Sequence, residues 1–490
     1  MTRKMMKVRF FRVVGITVFA VIGVCDMRPL FADIVETGSI SGGYIGVASP
    51  ASVTVNNGSD LVGTYTDIGC FSEGAVTVVD PGSTWTSSSY LRVGSGSAGT
   101  LSIQNGAIVT SFNANNTASA YVGHGAAGVA NVSGTGSSWT IGNDLYVGNL
   151  ASGTLNISDH GTVSNGGNAY VGYGRYGVVA PGAVTIDGAG AAWTCGGTLS
   201  IGNLSAGSVT VSNGAVLSAH AVVGGVLRQG DAAGDMTLNL DGGILRAVGG
   251  PNSDWISLGA GSGSILVGAG GAQFDTNGFD MQINQPLSTN ISNDGGISKL
   301  GDGTLTISGD VYAAGLTTVK GGTLVLGRLA QHAVFHSSGA DIQHGRLVFD
   351  YSGGSAPFWE VTGALGTTIR SSSTDAGCAL GWIDDVAQSR MIVAYTLLGD
   401  ANCDLVVDFT DLTTLLSHYN QNWTVWADGD FDNNGAVDFS DLTVMLSHYN
   451  QGVAAAAATA AVPEPASLLL AAIAGILGLL AFRVQRRRLP

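Results

Sequence analysis

Charge is scarce in these 490 residues. Only 11% are Asp, Glu, Lys or Arg, against about 25% in ordinary soluble domains. Glutamate occurs four times, as Glu36, Glu73, Glu360 and Glu464, and aromatic residues make up 7%. Such a composition supplies little for acid–base catalysis: sugar hydrolysis needs a facing pair of carboxylates. The scattered Asp144, Asp159 and Asp187 sit in turns, where aspartate is favoured for backbone reasons. No G-x-S-x-G, H-E-x-x-H or P-loop spacing occurs, and His124, His160 and His220 each stand alone beside glycine-rich turns. No C-x-x-C or Cys/His cluster is present, which excludes a structural zinc site. Beyond Cys25, the cysteines Cys70, Cys195, Cys378 and Cys403 are widely scattered, and their spacing selects none of the three possible pairings. A strict Gly-X-Y period is also missing, which excludes collagen.

Glycine is abundant instead, at 75 residues, with 45% hydrophobic content. That much apolar material excludes disorder, and the Gly/Ser/Thr/Val bias points to β structure with many tight turns. The net charge of -15 is a sum of opposed parts. Ten of the 20 basic residues lie at the two ends, and without residues 1–32 (net +5) and 463–490 (net +3) the chain stands at -23. A body that acidic repels phosphate, so nucleic acid is not an expected partner.

The ends read as addresses. Residues 1–32 carry a basic start (Arg3 to Arg12), an apolar run from Val13 to Cys25 and a small residue at Ala32, the layout of a signal peptide; an uncleaved anchor is the alternative. Residues 453–465 form an alanine-rich linker ending in Pro463-Glu464-Pro465. The run from Ala466 to Phe482 is long enough for a transmembrane helix, and Arg483, Arg486, Arg487 and Arg488 would hold the tail, which ends at residue 490, in the cytoplasm. These three parts in order resemble the PEP-CTERM sorting signal of Gram-negative and planctomycete surface proteins. The resemblance implies that an exosortase-type membrane protease recognises Pro463, Glu464 and Pro465. An unprocessed C-terminal anchor is the other reading. Either way the body is exported, to the cell surface or extracellular matrix.

Between the ends, Trp85, Trp139 and Trp193 recur at one constant interval. Each carries Thr at the next position, with Leu91, Leu145 and Leu199 and then Leu101, Leu155 and Val209 following at matching offsets. A finer step, close to half the tryptophan interval, joins Val93, Val122, Val147, Val171, Ile201 and Val223, each followed by Gly. Rungs of this length, with alternating apolar positions, predict a right-handed parallel β-helix over residues 33–330, in which each turn buries its inward side chains against its neighbours. The tryptophans are expected to stack along or cap one face of adjacent rungs; stacking on a carbohydrate is the alternative. The stretch Lys299 to Ile307, followed by Thr317 to Leu326, resembles the autotransporter-associated β-strand repeat of bacterial surface passengers. No segment for an outer-membrane barrel follows, so export by the autotransporter route is not expected. Residues 331–397, with Trp359 and Trp382, are expected to form a small β cap on the solenoid's open end.

The one dense chemical constellation lies in residues 398–452. Nine aspartates and no Lys or Arg fall between 399 and 451. Asp400, Asn402, Asp404, Asp408 and Asp411 occupy positions 1, 3, 5, 9 and 12 of one loop, and Asp430, Asp432, Asn434, Asp438 and Asp441 occupy the same positions of a second. With the backbone carbonyls of Val406 and Ala436 at position 7, these are the oxygens a twelve-residue loop offers to Ca²⁺. Two Ca²⁺ ions are therefore expected, the first bound more weakly because Leu405 stands at position 6 where the second loop has Gly435. Each loop runs into Asp-Leu-Thr-x-x-Leu-Ser-His-Tyr-Asn-Gln at helical spacing. The duplicated unit resembles the type I dockerin, and implies a mainly β fold carrying a small α-helical module. The resemblance also implies a cohesin-binding face from Leu412, Leu416, His418, Tyr419, Leu442, Leu446, His448 and Tyr449. Packing of the module against 331–397 is an equally good use of it. The expected function is a non-catalytic structural or adhesive surface element. The alternative is a protein that binds or degrades extracellular polysaccharide and docks through this module.

Overall fold

The computed structural model describes residues 51–453 except 175–177, 226–233, 260–261, 328–331 and 336–337, together with the backbone of short strands at 33–35, 38–39 and 43–45. The signal peptide, the Pro463-Glu464-Pro465 motif and the apolar run from Ala466 lie outside the described residues. Among the described residues no helix is long and apolar enough to cross a membrane.

The alternation read from the sequence becomes three long sheets of 11, 14 and 15 strands, each turn of the chain adding one strand to each sheet. One such turn is Gly99–Gln104, Ile108–Ser111 and Ser119–Val122; the next is Gly128–Ser133, Ser138–Ile141 and Leu145–Val147. Pairing between turns is parallel and in register. Gly99 lies beside Gly128, Gly128 beside Gly153, Gly153 beside Gly182 and Gly182 beside Gly207, so that longer and shorter turns alternate. Two turns, one of each length, make the tryptophan repeat.

Glycine is required where turns touch. Gly123 follows its strand with φ +80°, a backbone region that side chains with a Cβ avoid, and a Cβ on Gly128 would lie 2.2 Å from the Val93 carbonyl oxygen. The V-G steps of the sequence are these corners.

The core is a set of columns running along the solenoid axis. In the second sheet, Leu61, Trp85, Val109, Trp139, Val163, Trp193, Leu217, Leu245 and Phe274 follow one another, all essentially inaccessible. The tryptophans therefore do not stack on one another or cap a face, as the sequence led us to expect. An aliphatic rung separates each from the next, because two indoles on adjacent strands would overfill the interior. In two of them the N–H meets a polar atom of the preceding turn: Trp193 Nε1 donates to Asn165 Oδ1 at 3.0 Å and Trp139 Nε1 to Ser111 Oγ at 3.4 Å. Buried at 0–1% exposure, they are closed to any sugar.

Outward columns behave differently. On the third sheet Tyr121, Tyr146 and Tyr170 stack ring on ring, with centroids 4.9 and 4.8 Å apart and planes 6° and 12° from parallel. Tyr173 meets the last two edge-on. The Tyr146 hydroxyl donates to Asp144 at 3.2 Å, and burial pushes its phenol far above the usual range.

After Leu287–Ser288 the first sheet ends and the turns shorten, with Lys299 paired to Val319 and Leu305 to Leu324. Lys299 occupies the inward column after Phe274 and is 1% exposed. Its Nζ donates to the carbonyls of Leu300 (2.8 Å), Gly301 (2.6 Å) and Gly321 (3.3 Å), and burial pulls its amine down to about 8.

Residues 331–397 carry the second and third sheets onward through Ala340–Ile342, Gly345–Asp350 and Ile369–Arg370. A short helix, α1 (Phe358–Ala364), crosses between them. The third sheet is then closed by an antiparallel hairpin, Cys378–Asp385 and Arg390–Leu397. All four described cysteines are free thiols.

Two outcomes follow from the columns. Replacing Trp139 by Ala leaves a cavity between two aliphatic rungs and is expected to lower unfolding free energy by about 3–5 kcal/mol, measured by urea titration. For Lys299 the unfolded amine, near 10.4, binds a proton that the folded one releases at about 8. The unfolded state thus holds more protons between these values, and stability rises with pH across that window. Thermal melts from pH 7 to 10 should show this rise in the native chain and not in Lys299→Met.

Candidate metal centre

The acidic segment folds as two copies of one loop–helix unit. The helices are α2 (Phe409–His418) and α3 (Phe439–Ser447). Aspartate starts each, because a side-chain carboxylate can take the backbone N–H groups that a helix N-terminus leaves unpaired. Asp408 accepts from the Thr410 N–H at 2.7 Å and Asp438 from the Ser440 N–H at 2.6 Å. Asp411 and Asp441 reach back to the N–H of Asp408 (2.8 Å) and of Asp438 (3.0 Å). Loop positions 9 and 12 therefore double as helix caps.

The rest of each loop is built by the same bonds. Asp400 accepts from the N–H groups of Asp404 (3.1 Å) and Leu405 (2.8 Å); Asp430 accepts from Asn434 (3.1 Å) and Gly435 (2.9 Å). Asn402 and Asp432 at position 3 accept from the N–H at position 5, at 2.9 and 3.0 Å. Asp404 and Asn434 at position 5 accept from Val406 (3.0 Å) and Ala436 (2.9 Å). Asp411 also accepts from Ala401 (2.9 Å), and Asp441 from Phe431 (2.8 Å).

These bonds place four carboxylates out of water: Asp400, Asp411 and Asp441 are 0% exposed and Asp430 is 2% exposed. No Lys or Arg lies within the segment to neutralise them. Burial accordingly pushes the Asp400 carboxyl up to about 7, despite its hydrogen bonds, and raises Asp411 and Asp430 as well. In the second loop, carboxylate oxygens of Asp430, Asp432 and Asp441 lie within 4.8 Å of one another. Among the described residues this is the trio of acidic, His or Cys side chains that converges so closely. Several carboxylates gathered without a counter-charge, beside an oxygen-rich backbone, have the donor chemistry of a hard divalent cation. Asp400, Asn402, Asp404, Asp408, Asp411 and the Val406 carbonyl could hold one ion. Asp430, Asp432, Asn434, Asp438, Asp441 and the Ala436 carbonyl could hold another.

Leu405 does not break the first loop. It adopts φ +79°, close to the +85° of Gly435, and packs against the module's core. Its side chain is partly buried there, which offsets part of the strain of a left-handed leucine.

The two units grip each other reciprocally. His448 Nδ1 lies 2.9 Å from the Leu398 carbonyl oxygen, just before the first loop, and His418 Nε2 lies 3.5 Å from Asp428, just before the second. Gly399 (φ +117°) and Gly429 (φ +104°) admit the opposite helix: a Cβ on either would lie 3.0 Å from the Cα of Met445 or of Leu415. Trp426, 1% exposed, donates from Nε1 to the Asp400 carbonyl at 2.7 Å and covers Gly381 of the closing hairpin. The module shares a core with that hairpin through Ala394, Leu397, Trp426, Phe431 and Met445.

The structure splits the eight residues expected to form a partner face. Leu412, Tyr419 and Leu442 pack on the module core, and His448 is committed to Leu398. Leu416 and Leu446, at 53% and 54% exposure, point outward with Phe409 and Phe439, which the sequence analysis did not single out. His418 and Tyr449 are half-buried. Gly399, Gly429 and Trp426 were also missed, although the two glycines repeat at the same spacing as the loops.

Comparison with known proteins gives two matches. The PEP-CTERM protein-sorting motif matches residues 461–488. Over 256 residues, 51% of this chain, the sequence is 30% identical to the adhesin BmaC autotransporter of Brucella suis biovar 1 (strain 1330). The match spans 7% of that much longer protein. No solved structure matches the chain.

The clasp makes a paired prediction. Gly429→Ala forces a Cβ against Leu415 at a left-handed φ and is expected to destabilise the module by about 1–3 kcal/mol. Gly435→Ala has a similar φ but open space around it, and should cost about 1–2 kcal/mol at most. Hydrogen exchange of the α2 and α3 amides separates the two.

Proposed function

We propose that this chain is an exported, surface-sorted β-solenoid with a non-catalytic adhesive or structural role at the cell surface. The observation that carries the reading is the pairing of a sorting motif at 461–488 with a long parallel solenoid whose sequence is similar to an adhesin. An exosortase-type protease is the partner implied by the motif, with the membrane holding the tail at least transiently. The surface of the solenoid supports a passive role. A cleft of about 280 Å³ between His332, Phe335, Phe349 and Tyr351 holds the single acid Asp350, and a shallower one near Asn252 and Gln282 holds the single acid Asp280. Neither offers the two carboxylates of a glycosidase. The tyrosine ladder turns its ring faces toward one another, so a sugar meets edges there.

We further infer that the loop–helix module binds two Ca²⁺ ions and serves this chain internally, as a metal-hardened closure of the solenoid's end. Bound calcium would supply the positive charge that the four buried carboxylates lack. The packing of Trp426 over Gly381 of the closing hairpin, and of His448 against Gly377 just before it, favours this use over docking on a separate cohesin.

Cells displaying the full chain should adhere to surfaces or neighbouring cells, and a chain lacking residues 51–327 should be sorted yet fail to adhere. Release of reducing sugar from polysaccharide by the chain would overturn the non-catalytic reading. For the metal, native mass spectrometry should find two Ca²⁺ per chain, and Asp430→Ala with Asp441→Ala should leave one. At a Ca²⁺ concentration about 100-fold above Kd, each ion adds about 2.7 kcal/mol. An identical melt with and without chelator, with no ion bound, would remove calcium from the account.

A further inference from the structure

We propose that the first loop is a calcium-set latch on the segment through which the sorting tail leaves the folded body. This inference rests on the calcium reading above and extends it to what the metal controls.

The last strand, Gln451–Gly452, pairs antiparallel with Val406–Val407. The Asn450 N–H donates to the Val407 carbonyl at 2.8 Å and the Val453 N–H to the Leu405 carbonyl at 3.0 Å. Residues 405–407 are positions 6 to 8 of the first loop, and the Val406 carbonyl at position 7 is one of its expected metal ligands. The chain then runs on to the sorting motif at 461–488. Whatever orders the first loop thus orders the exit.

The second loop makes the corresponding grip on a different piece of chain. Asn420 N–H donates to the Val437 carbonyl (2.8 Å), Val437 N–H to Gln421 (3.1 Å) and Trp423 N–H to Gly435 (2.7 Å). That segment, 420–423, is tethered on both sides, by α2 before it and by Trp426 and the second loop after it. Among the described residues, the exit segment is held by α3 before it, by the first loop and by the core contact of Val453. Leu405 fits this asymmetry. At position 6 of the loop that must hold the exit, a leucine replaces glycine, and its side chain packs on the same core as Val453. Its amide bonds the Asp400 carboxylate, which is fully buried. With the cation gone, Asp400, Asp404 and Asp411 repel one another, the turn at Leu405 loosens and the paired strand is released. Freeing 450–453 lengthens the tether to the tail by up to about 14 Å. The length of that tether is therefore set only once the module has folded around calcium, which is plentiful outside the cell and scarce within it.

Hydrogen exchange on the full chain tests this, with bound calcium counted in parallel by native mass spectrometry. Chelation is expected to raise exchange of the 451–453 amides at least 10-fold. Asp404→Ala, in the first loop, should do the same with calcium present while 420–423 stays protected, which also shows that the variant is folded. Val453→Ser touches no metal ligand and should free the exit with the calcium count unchanged. If calcium is bound but exchange at 451–453 is indifferent to chelation and to Val453→Ser, the latch is wrong and the metal reading stands. If no calcium binds at millimolar concentration, the metal reading falls and takes the latch with it.

Discussion

The rest of the molecule depends on parallel strands stacked in register along the axis. A single turn of chain has nowhere to bury its inward side chains; only the turns before and after supply the other wall. Register is therefore a packing constraint as much as a hydrogen-bonding one, since a slip of one residue would turn every inward side chain outward. The glycine corners set where each strand begins, and the alternation of tryptophan with Val or Leu sets what fills the interior. The two-turn period follows: an indole needs a small partner above and below it, so the sequence repeats every second rung.

This explains which parts of the fold were legible in the sequence. The spacing of Trp85, Trp139 and Trp193 and the V-G steps are direct images of turn length, and they gave strands, corners and stacking. The destination of the indoles was not legible, because period-two alternation says which residues share a face and not how deep that face lies. The burial of Lys299 was not legible for a related reason. Its neighbours look like a surface turn, yet it faces inward because the carbonyls of Leu300, Gly301 and Gly321 converge on the same interior point. Only the three-dimensional closing of that turn makes a buried amine tolerable. The stretch 331–397 shows no such repeat because it has lost the first sheet, takes in α1 and reverses direction in its last strands.

In the acidic module the positions of the side chains were legible, and their part in capping the helices and clasping the two copies was not. A twelve-residue spacing of oxygen donors is visible in one dimension, and so is its repetition. That Asp408 and Asp438 cap helices, or that Gly399 and Gly429 admit the opposite helix, depends on how the copies face each other. The exposure of Leu416 beside the burial of Leu415 likewise follows from that mutual grip. Leu405 is the clearest case. From sequence it weakens the loop; in the fold its left-handed backbone is carried by a side chain with a core to enter.

The distribution of charge ties these parts together. A solenoid held by apolar columns and backbone ladders has no need of ion pairs, and two ion pairs between Arg and Asp are found among its described residues, Arg92 with Asp67 and Arg246 with Asp275. Nine of the 35 acids are instead concentrated in one segment without a Lys or Arg. Four of them are essentially inaccessible, an arrangement that water cannot relieve and for which the segment itself supplies no Lys or Arg. Protonation would satisfy it only at the expense of the caps and loop bonds that need ionised oxygens, whereas a divalent cation leaves those bonds in place. The end of the described chain is thus where buried, uncompensated carboxylates gather, whereas the solenoid before it is held by apolar columns and backbone ladders.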